Sequence, residues 1–141
     1  HRKLLISFEV GERGPMNYPM IHACIRVMNL EKSEAFYQEA LGFEIARKKD
    51  FPNGCFTLSY LRAPGSEFEL ELTYNYDQAE PYVIGNGFSH IAVGVENLEE
   101  SHQRHVEAGF EPTDMKGLSG TASFYFLTDP DGYRVEVVRR S

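Results

Sequence analysis

The stretch His22-Ala-Cys-Ile-Arg-Val-Met-Asn-Leu-Glu-Lys-Ser33 returns 68 residues later as His90-Ile-Ala-Val-Gly-Val-Glu-Asn-Leu-Glu-Glu-Ser101. Identical residues recur at this same offset, namely Val27/Val95, Asn29/Asn97, Leu30/Leu98, Glu31/Glu99, Ser33/Ser101 and Ala40/Ala108. Self-similarity at a fixed period indicates a duplicated supersecondary unit. The chain therefore contains two copies of one small fold, and each copy opens on a histidine.

Each copy is predicted to be a strand, a helix and three further strands. Apolar residues alternate from Met20 to Met28, which is typical of a half-buried strand. Asn29 is a helix N-cap candidate, and Gly42 ends the helix. We predict later strands at 43–49, 55–62 and 67–74, then a second set of strand 90–95, helix 97–108 and strands 111–115, 122–128 and 133–139. The predicted class is α+β, with two tandem βαβββ repeats.

The 141 residues suffice for one domain or two packed half-domains. We divide the chain into an N-terminal arm or added segment (1–16), a first repeat (17–80) and a second repeat (81–141). A lone repeat of about 60–70 residues has a marginal core. The two halves are therefore expected to share a sheet or to exchange elements with a second subunit, as in a homodimer.

The charge, hydropathy and cysteine content of the chain exclude several kinds of partner and location. The net charge is −7 and no basic cluster interrupts it, which argues against a nucleic-acid partner. No apolar run approaches the length of a membrane span. Cys24 and Cys55 lack the spacing of a disulfide framework or a CxxC motif, so a reducing compartment, the cytoplasm, is expected.

Each copy also ends on a strand that carries an acid, Glu71 in the first and Glu136 in the second. A single strand histidine or glutamate is more often an ordinary core or surface residue. Both copies keep both residues, however, while most other positions have drifted. If the first and last strands of each copy are neighbours, His22 faces Glu71 and His90 faces Glu136. Two such pairs make a His₂Glu₂ shell suited to Ni, Co, Mn or Zn.

Neighbouring side chains on the first strand have open roles. Arg26 shares the face of His22, because side chains alternate along a strand, and it could clamp a ligand carboxylate or simply face water. Cys24 lies between them and is interpreted as a small buried apolar residue, since no base is identifiable. Glu67 and Glu69 lie on the predicted strand that carries Glu71, and they are interpreted as a surface acidic stripe.

Four further positions have alternative interpretations. Asn75 follows the strand of Glu71 and is a turn residue or a ligand contact. Lys116 opens the loop Lys116-Gly-Leu-Ser-Gly120, which is a loop or a lid over an anion. His102 and His105 lie on the second helix and are interpreted as a solvated face rather than a second metal site.

Four motifs carry a resemblance to a known family, namely His22-Ala-Cys-Ile-Arg26-Val, Leu70-Glu71-Leu-Thr-Tyr-Asn75-Tyr, Gly87-Phe-Ser-His90-Ile-Ala-Val and Asp129-Pro-Asp-Gly-Tyr-Arg-Val-Glu136. Over residues 20–139 the chain resembles the vicinal-oxygen-chelate superfamily and, within it, glyoxalase I (lactoylglutathione lyase) of the short bacterial type. Ala23-Cys24 and Asn86 depart from the family pattern near its thiol pocket.

The resemblance implies a metal-dependent lyase that isomerises the hemithioacetal of methylglyoxal and glutathione to S-lactoylglutathione by enediolate proton transfer. It implies that His22, Glu71, His90 and Glu136 bind Ni, Co or Zn, and that Glu136 is the base with Glu71 as its counterpart. It further implies that Arg26, Asn75 and Lys116 hold glutathione, the co-substrate, and that a homodimer shares its sites between subunits.

The alternatives are other members of the superfamily and a binding module. A different thiol cofactor, an epimerase or a dioxygenase would keep the metal. The second glutamate and the Glu-Leu-Thr-Tyr-Asn run disfavour a dioxygenase, and an acidic chain without a basic cluster disfavours a CoA-dependent epimerase. A metal-free, bleomycin-resistance-like module would have no use for the four ligands.

Overall fold

The computed structural model describes residues 13–117 and 122–140. The elements of the first repeat are β1 (His22–Arg26), α1 (Leu30–Leu41), β2 (Glu44–Phe51), β3 (Phe56–Arg62) and β4 (Glu69–Asn75). Those of the second are β5 (His90–Val95), α2 (Leu98–Glu107), β6 (Phe124–Thr128) and β7 (Arg134–Arg139). The predicted α+β class and the duplication are confirmed, and the division expected between residues 80 and 81 falls between β4 and β5.

Each repeat forms its own sheet. The strand order is β1-β4-β3-β2 in the first and β5-β7-β6 in the second. The first and last strands are parallel neighbours in both sheets, and the other neighbours are antiparallel. The adjacency expected between the histidine-bearing and glutamate-bearing strands is therefore present twice.

Residues 111–115 do not form the strand that we predicted. Glu111 has a φ of 55°, outside the range of a strand, and Pro112 has no N–H to offer to a ladder. Thr113 keeps contact with β6 differently, because its N–H donates to Phe126 O and its hydroxyl accepts from Phe126 N. Within the described residues, the second repeat is thus βαββ, with one isolated bridge between Lys116 and Phe124.

The first helix begins and ends at the predicted cap residues, and the second, predicted at 97–108, is Leu98–Glu107 with Asn97 as its N-cap. The Asn29 side chain accepts a hydrogen bond from Lys32 N at 3.0 Å, and Asn97 does the same from Glu100 N. Gly42 ends α1 with a φ of 71°, a conformation that glycine adopts without the steric cost of a Cβ. In the described part of the chain, no helix is long and apolar enough to cross a membrane.

The core draws on both repeats. Its buried apolar side chains are Ile25, Val27, Leu30, Tyr37, Leu61, Leu70, Leu72, Leu98, Tyr125, Leu127, Tyr133, Val135 and Val137. In both sheets these residues alternate with the histidine and glutamate positions. Burial of one face of each sheet therefore turns His22, Glu71, His90 and Glu136 towards the opposite, open face.

The β6–β7 turn fastens the second repeat to the first. The Tyr37 hydroxyl donates to Asp129 Oδ2 at 2.8 Å, and Met28 N donates to Asp131 Oδ1 at 2.9 Å. The Tyr133 hydroxyl donates to Arg26 O at 2.8 Å. The turn that precedes Glu136 is therefore bonded to the end of the strand that begins at His22.

The solvated face expected for His102 and His105 is wrong for His105. His105 is 7% exposed, its Nε2 donates to Ala40 O at 2.7 Å, and its Nδ1 lies 2.7 Å from the Tyr125 hydroxyl. It is a buried link between α2 and the end of α1. His102 is half-buried, and its Nε2 donates to Thr113 O.

Candidate metal centre

The first His/Glu pair lies diagonally across β1 and β4. The register partner of His22 is Glu69, but His22 Nε2 lies 3.2 Å from Oε1 of Glu71, two residues further along β4. Glu71 is 9% exposed and His22 is exposed. The two side chains therefore meet at the surface of the open face, where an ion has access.

The second pair repeats this geometry. The register partner of His90 is Arg134, and His90 Nε2 lies 3.1 Å from Oε1 of Glu136, again two residues further along. Nitrogen and carboxylate oxygen atoms that converge in this way have the donor chemistry of a divalent-metal site. The same diagonal in both sheets is the structural counterpart of the sequence duplication.

An aromatic ring supports each histidine edge-on. The ring centroids of His22 and Tyr60 are 5.7 Å apart, and those of His90 and Phe126 are 5.3 Å apart. A guanidinium group lies over each aromatic ring at 3.8 Å, from Arg47 on Tyr60 and from Arg134 on Phe126. These packing contacts limit the orientations that each imidazole can adopt.

Glu69 forms an ion pair with Arg47, and this pairing distinguishes it from the candidate metal ligands. Arg47 Nη2 lies 2.7 Å from Glu69 Oε1, and this hydrogen bond holds the pKa of Glu69 below its usual value. The acidic stripe that we expected at Glu69 is therefore an ion pair. Glu71 has different partners, because the Thr73 hydroxyl donates to its Oε2 at 3.0 Å.

Ser89 belongs to the candidate site but was not predicted from the sequence. Its Oγ lies 2.7 Å from Nδ1 of His90. A partner on Nδ1 fixes the ring and leaves Nε2 free for a metal, which is common around metal-bound histidines. The only feature of the sequence that points to Ser89 is its position directly before His90. The residue that precedes His22 is Ile21, which has no hydroxyl.

The four candidate ligands do not converge within one chain. His22 and Glu71 belong to one sheet, and His90 and Glu136 belong to the other. Across residues 13–117 and 122–140, no cluster of three or more His, Cys, Asp or Glu side chains is placed to hold a metal ion. Each pair thus offers two ligands, half of what a four-ligand site needs.

Cys24 and Arg26 lie on the open face with His22. Cys24 is exposed rather than buried, so our interpretation of it as a buried apolar residue is wrong. Its Sγ lies 3.2 Å from Thr73 Oγ1, and partial burial together with the nearby Glu71 carboxylate raises the pKa of the thiol. A raised pKa disfavours the thiolate and so disfavours a nucleophilic role. Arg26 is exposed and is paired in register with Thr73.

Asn75 and Lys116 lie in different repeats. Asn75 is on the face of β4 that carries Glu71, four residues further along, and its Nδ2 donates to the Tyr82 hydroxyl at 2.8 Å. Lys116 is exposed beside β6. Residues 118–120 of the predicted loop or lid lie outside the described residues. The structure therefore places Arg26 and Asn75 on one open face and Lys116 in the other repeat.

A large cleft lies behind the sheets rather than at the His/Glu pairs. Its volume is about 920 Å³, and its walls include Ala23 and Leu70 of the first repeat and Ile91 and Val93 of the second. These residues alternate with the candidate ligands along their strands, and they face the other way. The cleft is therefore the junction between the repeats, and the candidate ligands lie on the open faces.

The sequence profile of the Glyoxalase/Bleomycin resistance protein/Dioxygenase superfamily matches residues 20–137, and the chain belongs to this superfamily. Two relatives are similar over nearly their whole length. The probable lactoylglutathione lyase of Synechocystis sp. is 41% identical over 86% of this chain and 95% of its own. The lactoylglutathione lyase of Neisseria meningitidis is 40% identical over 86% and 90%.

Solved structures agree with these relatives. Glyoxalase I of Zea mays superposes with a TM-score of 0.78 at 33% identity, and the match covers 86% of this chain and 44% of the maize chain. The trypanothione-dependent glyoxalase I of Leishmania major superposes with a TM-score of 0.73 at 33% identity, over 87% of each chain. The family resemblance inferred from the sequence motifs is confirmed.

Proposed function

We propose that this protein is a metal-dependent lactoylglutathione lyase. It would isomerise the hemithioacetal of methylglyoxal and glutathione to S-lactoylglutathione, a methylglyoxal detoxification reaction. The observation that carries the proposal is the pair of equivalent His/Glu contacts, at 3.2 and 3.1 Å, on the open faces of the two sheets. The names of the relatives from Synechocystis sp. and Neisseria meningitidis support the same reaction.

The proposed metal ligands are His22, Glu71, His90 and Glu136. Two imidazoles and two carboxylates suit Ni, Co or Zn, and each pair already directs a nitrogen and an oxygen to one point. A bound divalent ion would act as a Lewis acid and stabilise negative charge on the two substrate oxygens. The remaining chemistry is proton transfer, for which the chain supplies its own groups.

A homodimer with shared sites completes the ligand set. Within one chain the two pairs lie on separate sheets, so the pair His22/Glu71 needs a second pair from elsewhere. The pair His90/Glu136 of the partner subunit is the proposed source. A two-fold dimer makes two such sites from two chains, because each contact then occurs twice.

Glu136 is the proposed base, with Glu71 as its pseudo-symmetric counterpart. The Glu136 carboxylate would take the proton from the carbon that bears sulfur and return it to the neighbouring carbon. The proton of the hydroxyl on the first carbon passes to the oxygen on the second carbon, so that the hydroxyl becomes a carbonyl and the carbonyl becomes a hydroxyl. Nothing is oxidised or reduced overall. A base in this role must reach the substrate within hydrogen-bonding distance.

Arg26 and Asn75 are proposed to hold the γ-glutamyl end of glutathione. Both lie on the open face of the first sheet, and the exposed Arg26 guanidinium can bind a carboxylate in bidentate fashion. Lys116 is proposed for the glycyl carboxylate, which fits its place in the other repeat across a shared site. The proposed location is the cytoplasm, supported by two free cysteines.

The test is turnover of methylglyoxal plus glutathione by chelator-stripped protein, before and after addition of Ni²⁺, Co²⁺ or Zn²⁺. We expect a metal to restore turnover, and Glu136→Gln to lower kcat by about 10²–10⁴-fold, the usual contribution of a general base. Glu67→Gln is the matched control, since Glu67 is an exposed acid outside the site.

Two outcomes would contradict the proposal. Stoichiometric metal binding without turnover would indicate another thiol or another reaction of the superfamily. A protein that binds no metal would indicate a sequestration module.

A further inference from the structure

The surroundings of Glu71 and Glu136 differ systematically, although the two positions are equivalent in the duplication. Each glutamate has a register partner on either side and a same-face neighbour two residues further along its own strand. At all three places the first repeat carries a side chain with a hydroxyl or thiol and the second carries an apolar one. The pairs are Cys24/Ala92, Tyr60/Phe126 and Thr73/Val138.

The difference appears directly in the hydrogen bonds. Both oxygens of Glu71 are engaged, Oε1 by His22 and Oε2 by the Thr73 hydroxyl at 3.0 Å. Glu136 Oε1 contacts His90 at 3.1 Å, and among the described residues no side chain donates to its Oε2. The side chain of Glu71 is 12% exposed and that of Glu136 is 20% exposed.

A carboxylate that is held at both oxygens can rotate only by breaking a hydrogen bond. A carboxylate held at one oxygen among apolar neighbours can rotate about its side-chain torsions at little cost. These two behaviours suit two different roles at a metal. A constant ligand needs an outer hydrogen bond that orients it, whereas a base must move between the metal and the substrate.

We propose that Thr73 is a positioning residue that holds Glu71 as a constant metal ligand, and that Val138, which lacks the hydroxyl, leaves Glu136 free to move. This inference rests on the proposed lyase function and explains how two equivalent glutamates acquire unequal roles. Thr73 acts through Glu71 and need not touch the substrate.

The experiment exchanges the hydroxyl between the two positions. Threonine and valine have nearly the same shape, so Thr73→Val removes the hydrogen bond and Val138→Thr adds one beside Glu136 with little change in volume. Four quantities are measured for each variant: metal affinity by competition with a chromophoric chelator, kcat and KM at saturating metal, and the urea midpoint of unfolding. Val138→Ala is the control for altered packing without a hydroxyl.

We expect Thr73→Val to weaken metal affinity by about 10–100-fold, as loss of an outer-sphere partner does, and to retain most of kcat once metal is saturating. We expect Val138→Thr to lower kcat by at least about tenfold with unchanged KM and unweakened metal affinity. Unchanged urea midpoints would exclude a purely structural explanation.

The inference and the proposed function fail in different ways. Suppose that the wild-type protein turns over the substrate. Unchanged metal affinity in Thr73→Val would then overturn the inference and leave the lyase function standing. Unchanged kcat in Val138→Thr would do the same. A kcat loss in Val138→Ala equal to that in Val138→Thr would also overturn it, because packing would then be the cause. A wild-type protein without turnover at any metal would overturn both.

Discussion

The Oγ atom of Ser89 lies 2.7 Å from Nδ1 of His90, whereas the residue before His22 is an isoleucine. Single contacts of this kind distinguish the candidate sites of the two repeats, whose sequences are otherwise similar. The histidines and glutamates could be predicted because the duplication repeats them. Thr73 and Ser89 could not, because their importance lies in which atom each hydroxyl reaches, and a sequence pattern does not contain that distance.

At the residue scale we predict that Ser89→Ala weakens metal affinity by about tenfold or more, within the 10–100-fold range typical of outer-sphere partners of metal-bound histidine. Loss of the hydroxyl removes the partner of Nδ1 that orients the His90 ring. Competition with a chromophoric chelator measures the affinity. Ser66→Ala, at an exposed turn serine, is the control, and equal affinities in both variants would exclude an orienting role for Ser89.

At the scale of elements, the acidic motif of the β6–β7 turn has a structural role away from the candidate metal ligands. Asp129 is 5% exposed and accepts three hydrogen bonds, from the Tyr37 hydroxyl and from the N–H groups of Asp131 and Tyr133. The sequence Asp129-Pro-Asp-Gly132 has the composition of a β-turn. It did not show that the turn binds α1, because that contact joins residues about 90 positions apart.

The strand predicted at 111–115 was wrong for a local reason, since Pro112 and the positive φ of Glu111 prevent a ladder.

A pH dependence of stability follows from this turn. Burial raises the pKa of Asp129 above its ordinary value, more than its hydrogen-bond donors lower it. Between about pH 4, the unperturbed pKa of aspartate, and the raised native value, the folded state binds more protons than the unfolded state. The contribution of Asp129 to the free energy of unfolding is therefore largest at low pH and is lost as pH rises through that window.

We expect the difference in free energy of unfolding between the wild type and Asp129→Asn to fall as pH rises from about 4 towards 7, because asparagine does not titrate. Urea unfolding of both proteins across this range measures the difference, and other titrating groups cancel in the comparison. A difference that grows with pH would show that the carboxylate is stabilised in its charged form.

At the scale of the whole molecule, two sheets share one core but present their His/Glu pairs separately. The chain packs its repeats through α1, α2 and the β6–β7 turn, and this packing leaves both open faces available. Because the two His/Glu pairs of one chain lie apart, a second subunit would be needed to bring four ligands together. In the proposed dimer, one chain would supply two half-sites and two chains would supply two complete sites.

Shared sites predict complementation between two inactive variants. A heterodimer of Glu71→Gln and Glu136→Gln chains would combine both substitutions in one site and leave the other site intact. We therefore expect co-expressed variants to regain activity, up to half the wild-type value in each heterodimer, whereas each variant alone stays inactive. Sites built within single chains would each keep one substitution, so co-expression would restore nothing.

The sequence by itself determined the duplication, the helix caps, the alternating faces of the strands and the identity of the four candidate ligands. These features are local or repeated, so spacing and residue type suffice to predict them. Only the tertiary structure decided that the ligands form two pairs on separate sheets, that Arg47 engages Glu69, that His105 is buried and that Thr73 reaches Glu71. These facts depend on strand register and packing between distant segments, and the free energy of those contacts becomes available only when the chain has folded.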